Sequence, residues 1–189
     1  METVYPNWFK QTAQENFEHY LQEFTGKENL SFLQIGAFTG DASVWMLDNI
    51  LTHESSTLTD VDTWLGSDEA AHKDIDFTDV QIEYLNKTDR PNRYWFNGKS
   101  VDFFSDLEGK KYDFIYIDGD HTASAVLDDA VMAWYALKPK GIMAFDDYTW
   151  EHEGGAHLTP RPSINFFISI KNDQLEILGV NSQVWIRKL

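Results

Sequence analysis

The chain of 189 residues contains no cysteine. Disulfide frameworks, thiol nucleophiles and thiolate metal sites are therefore excluded, although the lack of cysteine does not by itself fix the cellular compartment. Long hydrophobic runs are also missing, and no stretch approaches a membrane span or the apolar core of a secretory signal. We therefore expect a soluble, cytoplasmic protein that does not use a membrane as partner.

Positive charge is scarce. The chain has 15 Lys and Arg residues against 31 Asp and Glu residues, and its formal net charge is −16. Binding to a phosphate backbone needs clustered Lys and Arg, so nucleic acid is excluded as a partner and a neutral or cationic one is favoured. The hydrophobic content of 42% is that of a globular protein, and the length predicts one domain over residues 1–189.

Two apolar runs flank an amphipathic segment in the second half of the chain. The run Tyr112–Ile117 is nearly all β-branched or aromatic, and residues 142–145 form a second short apolar run. Between them, residues 122–137 carry apolar side chains at helical spacing, and a turn over residues 138–141 is expected to end that helix. The pattern predicts a βαβ unit whose two strands are parallel and usually adjacent.

Acidic residues follow both predicted strands: Asp118 follows the first, and Asp146 and Asp147 follow the second. Neighbouring strands lie about 4.8 Å apart. Like charges at that range repel by about 1 to 4 kcal/mol at effective dielectrics of 80 to 20. A hard divalent cation, Mg²⁺ or Ca²⁺, would offset this repulsion. The alternative is that Asp120 caps the following helix and that the Asp pair shapes a turn, and local chemistry alone does not choose between the two.

A glycine-bearing turn, Gly36 to Gly40, joins the first predicted strand, residues 31–35, to a helix over residues 41–51. Such a turn lets a ligand approach the backbone at a helix N-terminus. Phe38 replaces the second glycine of the dinucleotide fingerprint, and Asp41 places negative charge where a phosphate would lie. The turn therefore favours a ligand without phosphate over NAD.

The second predicted strand, residues 56–61, is followed by Asp62. An acid at this position of a nucleoside-binding α/β fold commonly accepts hydrogen bonds from ribose hydroxyls. Asp60, two residues earlier on the same face of the strand, is the alternative. Trp64 either lines an adenosine pocket or belongs to the core, and the second reading is favoured.

The segments YDFIYIDGDH and LKPKGIMAFDDY, separated by a helix, resemble class I S-adenosylmethionine-dependent methyltransferases of the methyltransferase 24 group. That group is related to macrocin O-methyltransferase and, more distantly, to catechol O-methyltransferase. The resemblance extends from about residue 30 to the C-terminus. It implies an α/β fold with a single-domain, Rossmann-like, doubly wound sheet of seven strands. The last strand is expected to be antiparallel in a C-terminal hairpin, which the alternating patterns of residues 174–178 and 183–187 also predict.

The resemblance also implies site residues. Asp118, Asp146 and Asp147 would be the ligands of Mg²⁺ or Ca²⁺, and His121 or Asp120 would be the base. His121 stands where catechol O-methyltransferase has a lysine, which weakens any inference to a catechol substrate. The residues that would bind S-adenosylmethionine are Gly36, Ala37, Gly40, Asp62, Gly98, Ser100 and Asp118.

Two further segments have open roles. Residues 7–24 are predicted to form a helix within an N-terminal segment, residues 1–26, that either packs over the sheet or covers the substrate as a lid. The loop after Asp147 contains His152 and His157. These histidines could bind a transition metal such as iron together with Asp147. Exposed histidines or substrate contacts are the favoured reading.

The expected function is transfer of a methyl group from S-adenosylmethionine to a hydroxyl of a small molecule, such as a sugar, a natural product or an aromatic diol. A metal-independent methyltransferase, an NAD-dependent oxidoreductase and a non-catalytic cofactor-binding protein are the alternatives. The sequence leaves the acceptor open, and a homo-oligomer is compatible with it.

Overall fold

The computed structural model describes residues 5–67 and 69–189. Seven strands form one sheet: β1 Ser31–Ile35, β2 Thr57–Asp62, β3 Arg93–Asn97, β4 Tyr112–Ile117, β5 Leu137–Phe145, β6 Leu175–Val180 and β7 Val184–Lys188. The helices are α1 Trp8–Thr12, α2 Gln14–Tyr20, α3 Asp41–Asn49, α4 Phe77–Lys87, α5 Ser100–Ser105, α6 Ala123–Ala136 and α7 Arg161–Lys171. Short 3-10 turns cover Gln22–Phe24, Ala70–His72 and Ala156–Leu158.

The strand order is β3-β2-β1-β4-β5-β7-β6. Strands β1 to β5 pair in parallel, whereas β7 runs antiparallel to both β5 and β6. The chain order reverses beside β1, where β1 and β4 are neighbours, and a crevice forms at such a point outside the carboxyl ends of the strands. The expected seven-stranded, doubly wound sheet with an antiparallel C-terminal hairpin is confirmed.

Alternation along the central strands builds a core on each face of the sheet. Ile115 and Ile117 of β4 pack with apolar residues of α6 and α7, whereas Phe114 and Tyr116 face α2 and α3. Phe17 of α2 is fully buried on this second face. Its ring meets those of Phe114, Tyr116 and Trp185 edge to face, at centroid distances of 5.7, 4.9 and 5.2 Å. The aromatic contacts therefore fix α2 to the sheet.

The helix expected over residues 7–24 is divided in the structure. Asn7 caps α1, with its side chain accepting a hydrogen bond from the Lys10 backbone, and α1 ends at Thr12, directly before Ala13. Ala13 has φ −116°, outside the α-helical norm, and α2 begins after it. The break lets α2 pack on the sheet while α1 extends toward the cleft described below. Residues 1–4 of the expected lid lie outside the described residues.

The prediction that residues 138–141 form a turn is wrong. Strand β5 begins at Leu137, directly after α6, because buried Leu137 pairs with Tyr112 of β4. The register then shifts before Phe114 pairs with Ile142. Pro139, which has no N–H to donate, lies within this irregularity, where a sheet tolerates proline.

Within residues 5–67 and 69–189, none of the helices has the length and apolar character needed to cross a membrane. The expected single domain and the cytoplasmic location stay predictions.

Candidate active site

A cleft of about 850 Å³ lies at the carboxyl ends of the parallel strands. Its walls come from the segments that follow β1, β2, β3, β4 and β5, together with residues of α1 and α6. This volume lies in the range of small-molecule and cofactor sites, and its position is the one that open α/β sheets use for ligands. The cleft includes most of the site residues predicted from the sequence.

The turn after β1 requires glycine because the loop after β4 packs closely against it. Gly36 has φ +85°, and a Cβ atom there would overlap the backbone carbonyl oxygen of Asp118. The loops after β1 and β4 can therefore approach each other only with glycine at this position. Gly40 has φ +83° and packs against Thr88 and Tyr84, while Ala37 is buried in the cleft wall.

Asp62 lies at the end of β2 and fixes the same turn. One carboxylate oxygen accepts hydrogen bonds from the backbone N–H groups of Ala37 at 2.7 Å and Phe38 at 2.9 Å. The other oxygen accepts one from the Trp64 N–H at 2.7 Å. Asp62 also lines the cleft, and its contact with a ribose stays a prediction. The structure adds that Asp62 shapes the turn after β1.

The alternative acid, Asp60, lies in the interior rather than in the cleft wall. It is fully buried and accepts a hydrogen bond from the Tyr84 hydroxyl at 2.8 Å, while its Oδ1 has no partner among the described residues. Burial raises the pKa of Asp60 to about 7, only partly offset by Tyr84. Trp64 is also core: its indole N–H donates to the Phe38 carbonyl at 3.0 Å.

Three non-glycine residues in the loops after β1, β2 and β5, which border the cleft, have a left-handed backbone conformation. Phe38 has φ +46° in the turn after β1, Trp64 has φ +46° after β2, and Asp147 has φ +53° after β5. Bulky residues rarely adopt this conformation, which costs about 1 to 3 kcal/mol and persists where the surrounding structure imposes it. Such positions concentrate at functional sites, and the sequence gives no signal for them.

Asp118, His121 and Asp147 converge at the ends of β4 and β5. One ligand atom from each lies within 4.8 Å of the other two. His121 Nε2 is 2.9 Å from an oxygen of Asp147 and 4.0 Å from an oxygen of Asp118. The expected meeting of Asp118 with an acid after β5 therefore occurs, and His121 joins them.

Asp146 is oriented away from this group. One of its oxygens accepts hydrogen bonds from the Tyr116 hydroxyl and, at 3.0 Å, from the side-chain amide of Gln183. The other accepts one from the Asp147 N–H at 2.7 Å. Asp146 borders the cleft but is nearly buried, and its part in binding a metal stays a prediction. Here it anchors the end of β5 to β4 and β7.

Glu69 is a member of the site that sequence reasoning missed. Its carboxylate lies 3.2 Å from His121 Nδ1, as an ion pair without hydrogen-bond alignment, and accepts a hydrogen bond from the Ser67 hydroxyl at 2.6 Å. In the sequence, residues 66–92 are polar and acidic, a pattern typical of a solvated surface. No sequence signal could have identified Glu69, because only the fold brings its loop beside the end of β4.

The carboxylates control the charge of His121. Burial alone would lower its pKa, but the nearby carboxylates of Asp118, Asp147 and Glu69 outweigh burial and raise the pKa to about 12. Burial would raise the pKa of Glu69, yet His121 and Ser67 hold it at about 2. Burial and the nearby Asp146 raise the pKa of Asp118 well above its usual range. The site is thus an acidic pocket that favours the imidazolium form of His121.

The remaining predicted residues lie around this pocket. Asp120 lines the cleft, is exposed, and accepts a hydrogen bond from the Thr122 N–H at 2.8 Å, which shapes the start of α6. Gly98 and Ser100 line the cleft after β3. The two loop histidines, His152 and His157, do not line it.

Aromatic residues cover the open side. Trp150 stands 5.0 Å from the His121 ring, and Trp8 of α1 packs 4.8 Å from Phe38, measured between ring centroids. Trp8 belongs to the segment for which a lid was one of the two expected roles, and it lines the cleft. This side of the cleft therefore has aromatic walls.

A family model described as a methyltransferase domain matches residues 33–148. An O-methyltransferase from Bacillus cereus in complex with SAH is 15% identical, with a TM-score of 0.59 over 100% of this chain and 94% of the other. A putative O-methyltransferase from Klebsiella pneumoniae is 15% identical, with a TM-score of 0.63 over 100% and 82%.

The MycE methyltransferase from the mycinamycin biosynthetic pathway, in complex with Mg, SAH and mycinamycin VI, is 13% identical, with a TM-score of 0.60. That match covers 99% of this chain and 50% of MycE. No curated protein matches the chain. At these identities the solved structures establish the fold, whereas the family model covers more than half of the chain. The chain therefore belongs to the methyltransferase-domain family and is a class I S-adenosylmethionine-dependent methyltransferase.

Proposed function

We propose that this enzyme is a divalent-metal-dependent O-methyltransferase that acts on a hydroxyl of a small molecule. The observation that carries the proposal is the convergence of Asp118, His121 and Asp147 in the cleft that also contains the turn after β1 and Asp62. The solved relatives are consistent with it: the Bacillus cereus enzyme is described with SAH, and MycE with Mg, SAH and a mycinamycin.

The residues at the ends of β4 and β5 fit a divalent cation. Asp118 and Asp147 offer carboxylate oxygens, and His121 offers a nitrogen within 4.8 Å of both. Carboxylates suit Mg²⁺, and an added imidazole extends the donor set toward Mn²⁺ and other transition metals. The nearby carboxylate of Glu69 adds to the negative charge that a cation would balance. We propose Asp118 and Asp147 as the residues that hold Mg²⁺.

A bound divalent cation supplies Lewis acidity, which favours the deprotonated form of an acceptor hydroxyl. The protein contributes the remaining steps. The turn after β1 and Asp62 orient S-adenosylmethionine, and the cleft holds the acceptor oxygen in line with the methyl group, from which most of the rate gain comes. The oxygen then forms a bond to the methyl carbon, the carbon–sulfur bond breaks, and its electron pair neutralises the sulfonium.

The acceptor proton passes to His121, with exposed Asp120 as the alternative base. His121 must be neutral to accept it, whereas the surrounding carboxylates favour the imidazolium. A base role for His121 therefore requires that another positive charge balance Asp118 and Asp147 during turnover. A divalent cation held by Asp118 and Asp147 would supply that charge.

The acceptor is a neutral or cationic small molecule. The cleft is lined by several carboxylates, and Lys99 is the only Lys or Arg among the residues described in its wall. Trp8, Phe38 and Trp150 provide apolar faces on which a sugar or a ring system can pack. An anionic acceptor would face repulsion from Asp118, Asp120 and Glu69.

Calorimetry of S-adenosylmethionine binding with and without Mg²⁺, followed by a screen of hydroxylated acceptors, tests the proposal. We expect methyl transfer that excess EDTA abolishes and Mg²⁺ or Mn²⁺ restores. Asp118→Asn should lose metal binding, whereas Asp128→Asn, at an exposed acid of the same cleft, should retain it. Full activity in EDTA would support a metal-independent methyltransferase instead. Tight binding of NADH without binding of S-adenosylmethionine would refute the assignment.

A further inference from the structure

One end of the cleft contains a carboxylate for which the proposed chemistry has no use. This end is formed by residues 98–101, after β3, and by the inward side of α6. Asp129 of α6 lines it and is only 4% exposed. A Cβ atom built on Gly119 would lie 3.8 Å from Asp129 Oδ2, so the carboxylate stands beside the loop that follows β4.

Asp129 occupies a position where packing favours an apolar residue. It lies one helical turn from Val126 and Ala133 and next to Ala130, all of them buried. No hydrogen bond of standard geometry reaches its carboxylate from the described residues. Burial raises the pKa of Asp129 to about 6, and the Ser100 hydroxyl offsets this only in part. A carboxylate is costly in such a place unless a donor meets it.

The order of strands along the sheet indicates which part of the cofactor reaches this end. The turn after β1 and the site after β4 are at the centre of the sheet, Asp62 follows β2, and β3 is the edge strand. If the ribose of the cofactor lies at Asp62, the adenine extends toward Gly98 and Ser100. Val101 is apolar and Lys99 is a donor, so neither side chain can accept a hydrogen bond there.

We propose that Asp129 accepts a hydrogen bond from the 6-amino group of the adenine, and that this contact makes the cleft selective for the adenine of S-adenosylmethionine. The proposal rests on the proposed binding of this cofactor in the cleft. An ionised carboxylate only accepts hydrogen bonds, and the amino group is the donor of the adenine's outer edge. A purine with a 6-oxo group would present an acceptor to the same carboxylate and would be repelled.

Calorimetry with two probes tests this residue: S-adenosylhomocysteine, and its analogue with hydrogen in place of the 6-amino group. A hydrogen bond to a buried charged acceptor predicts that the wild-type protein binds the analogue about 10- to 100-fold more weakly. In Asp129→Leu the two probes should bind with affinities within about threefold of each other, because an apolar side chain cannot accept a hydrogen bond from the amino group. Asp102→Asn, at an exposed acid of helix α5 that does not line the cleft, should keep the wild-type ratio.

A thermal melt establishes that each variant is folded. If Asp129→Leu does not fold, Asp129→Asn replaces it. Its neutral amide keeps the shape, and the ratio should fall below that of the wild type. Equal binding of the two probes by the wild type, or an unchanged ratio in a folded Asp129 variant, overturns the proposal. Failure of the wild type to bind S-adenosylhomocysteine at all would instead refute the proposed function, and with it this inference.

Discussion

The buried carboxylate of Asp60 makes a quantitative prediction about stability. Asp60 is a fully buried residue of β2 and accepts one hydrogen bond from Tyr84. Its pKa rises from 3.8 to about 7 on folding because burial disfavours the charge. One pKa unit corresponds to about 1.4 kcal/mol, so this rise corresponds to about 4 kcal/mol. The folded protein binds the proton more tightly than the unfolded chain, and stability therefore falls as pH rises from about 4 to about 7.

The substitution Asp60→Asn removes this titration while keeping the shape of the side chain. The Asn oxygen can still accept from Tyr84, but the amide nitrogen replaces an oxygen that has no partner, which costs about 1 to 3 kcal/mol. We expect the variant to be less stable than the wild type near pH 4 and more stable by about 1 to 3 kcal/mol near pH 8, since the wild type loses about 4 kcal/mol across that interval.

Urea unfolding of both proteins between pH 4 and pH 8 measures the difference directly, because titration of the other groups cancels. Asp106→Asn, at an exposed acid, serves as the matched control and should give a difference close to zero throughout. A difference between wild type and Asp60→Asn that stays constant with pH would refute the reasoning. The affinity of Asp60→Asn for S-adenosylhomocysteine should equal that of the wild type, because Asp60 does not line the cleft.

Four other substitutions have predictable effects. Gly36→Ala should lower the free energy of unfolding by at least about 3 kcal/mol, because the added Cβ overlaps the carbonyl of Asp118 at a left-handed φ. Gly109→Ala, at φ +81° with nothing near the new Cβ, should cost only about 1 kcal/mol, and equal losses in urea unfolding would contradict this reading. Asp62→Asn should weaken S-adenosylhomocysteine binding at least about tenfold in calorimetry, since a neutral amide cannot hold all three backbone N–H groups; unchanged affinity would refute its role in the turn. Phe17→Ala should destabilise the fold by about 3 to 5 kcal/mol in urea unfolding, and a loss below about 1 kcal/mol would show that α2 does not anchor the sheet.

The architecture could be predicted from the sequence because its signals are local. The apolar run Tyr112–Ile117, the helical spacing up to Ala136 and the glycine turn after β1 each follow from patterns within a few residues. Parallel pairing then places the ends of β4 and β5 side by side, which brings Asp118 near the acids after β5. The start of β5 at Leu137 escaped prediction, because only its partner strand decides whether residues 138–141 extend as a strand or turn.

Which acids share the pocket depended on the tertiary structure. Asp146 and Asp147 both follow the end of β5, yet only Asp147 enters the group around His121. Tyr116 and Gln183, from β4 and the turn before β7, hold Asp146 in the interior, and Asp147 turns into the cleft with φ +53°. The sequence alone determined that carboxylates collect at this edge of the sheet. Their orientation, and the arrival of Glu69 from a distant loop, were decided by long-range packing and hydrogen bonds that no local pattern encodes.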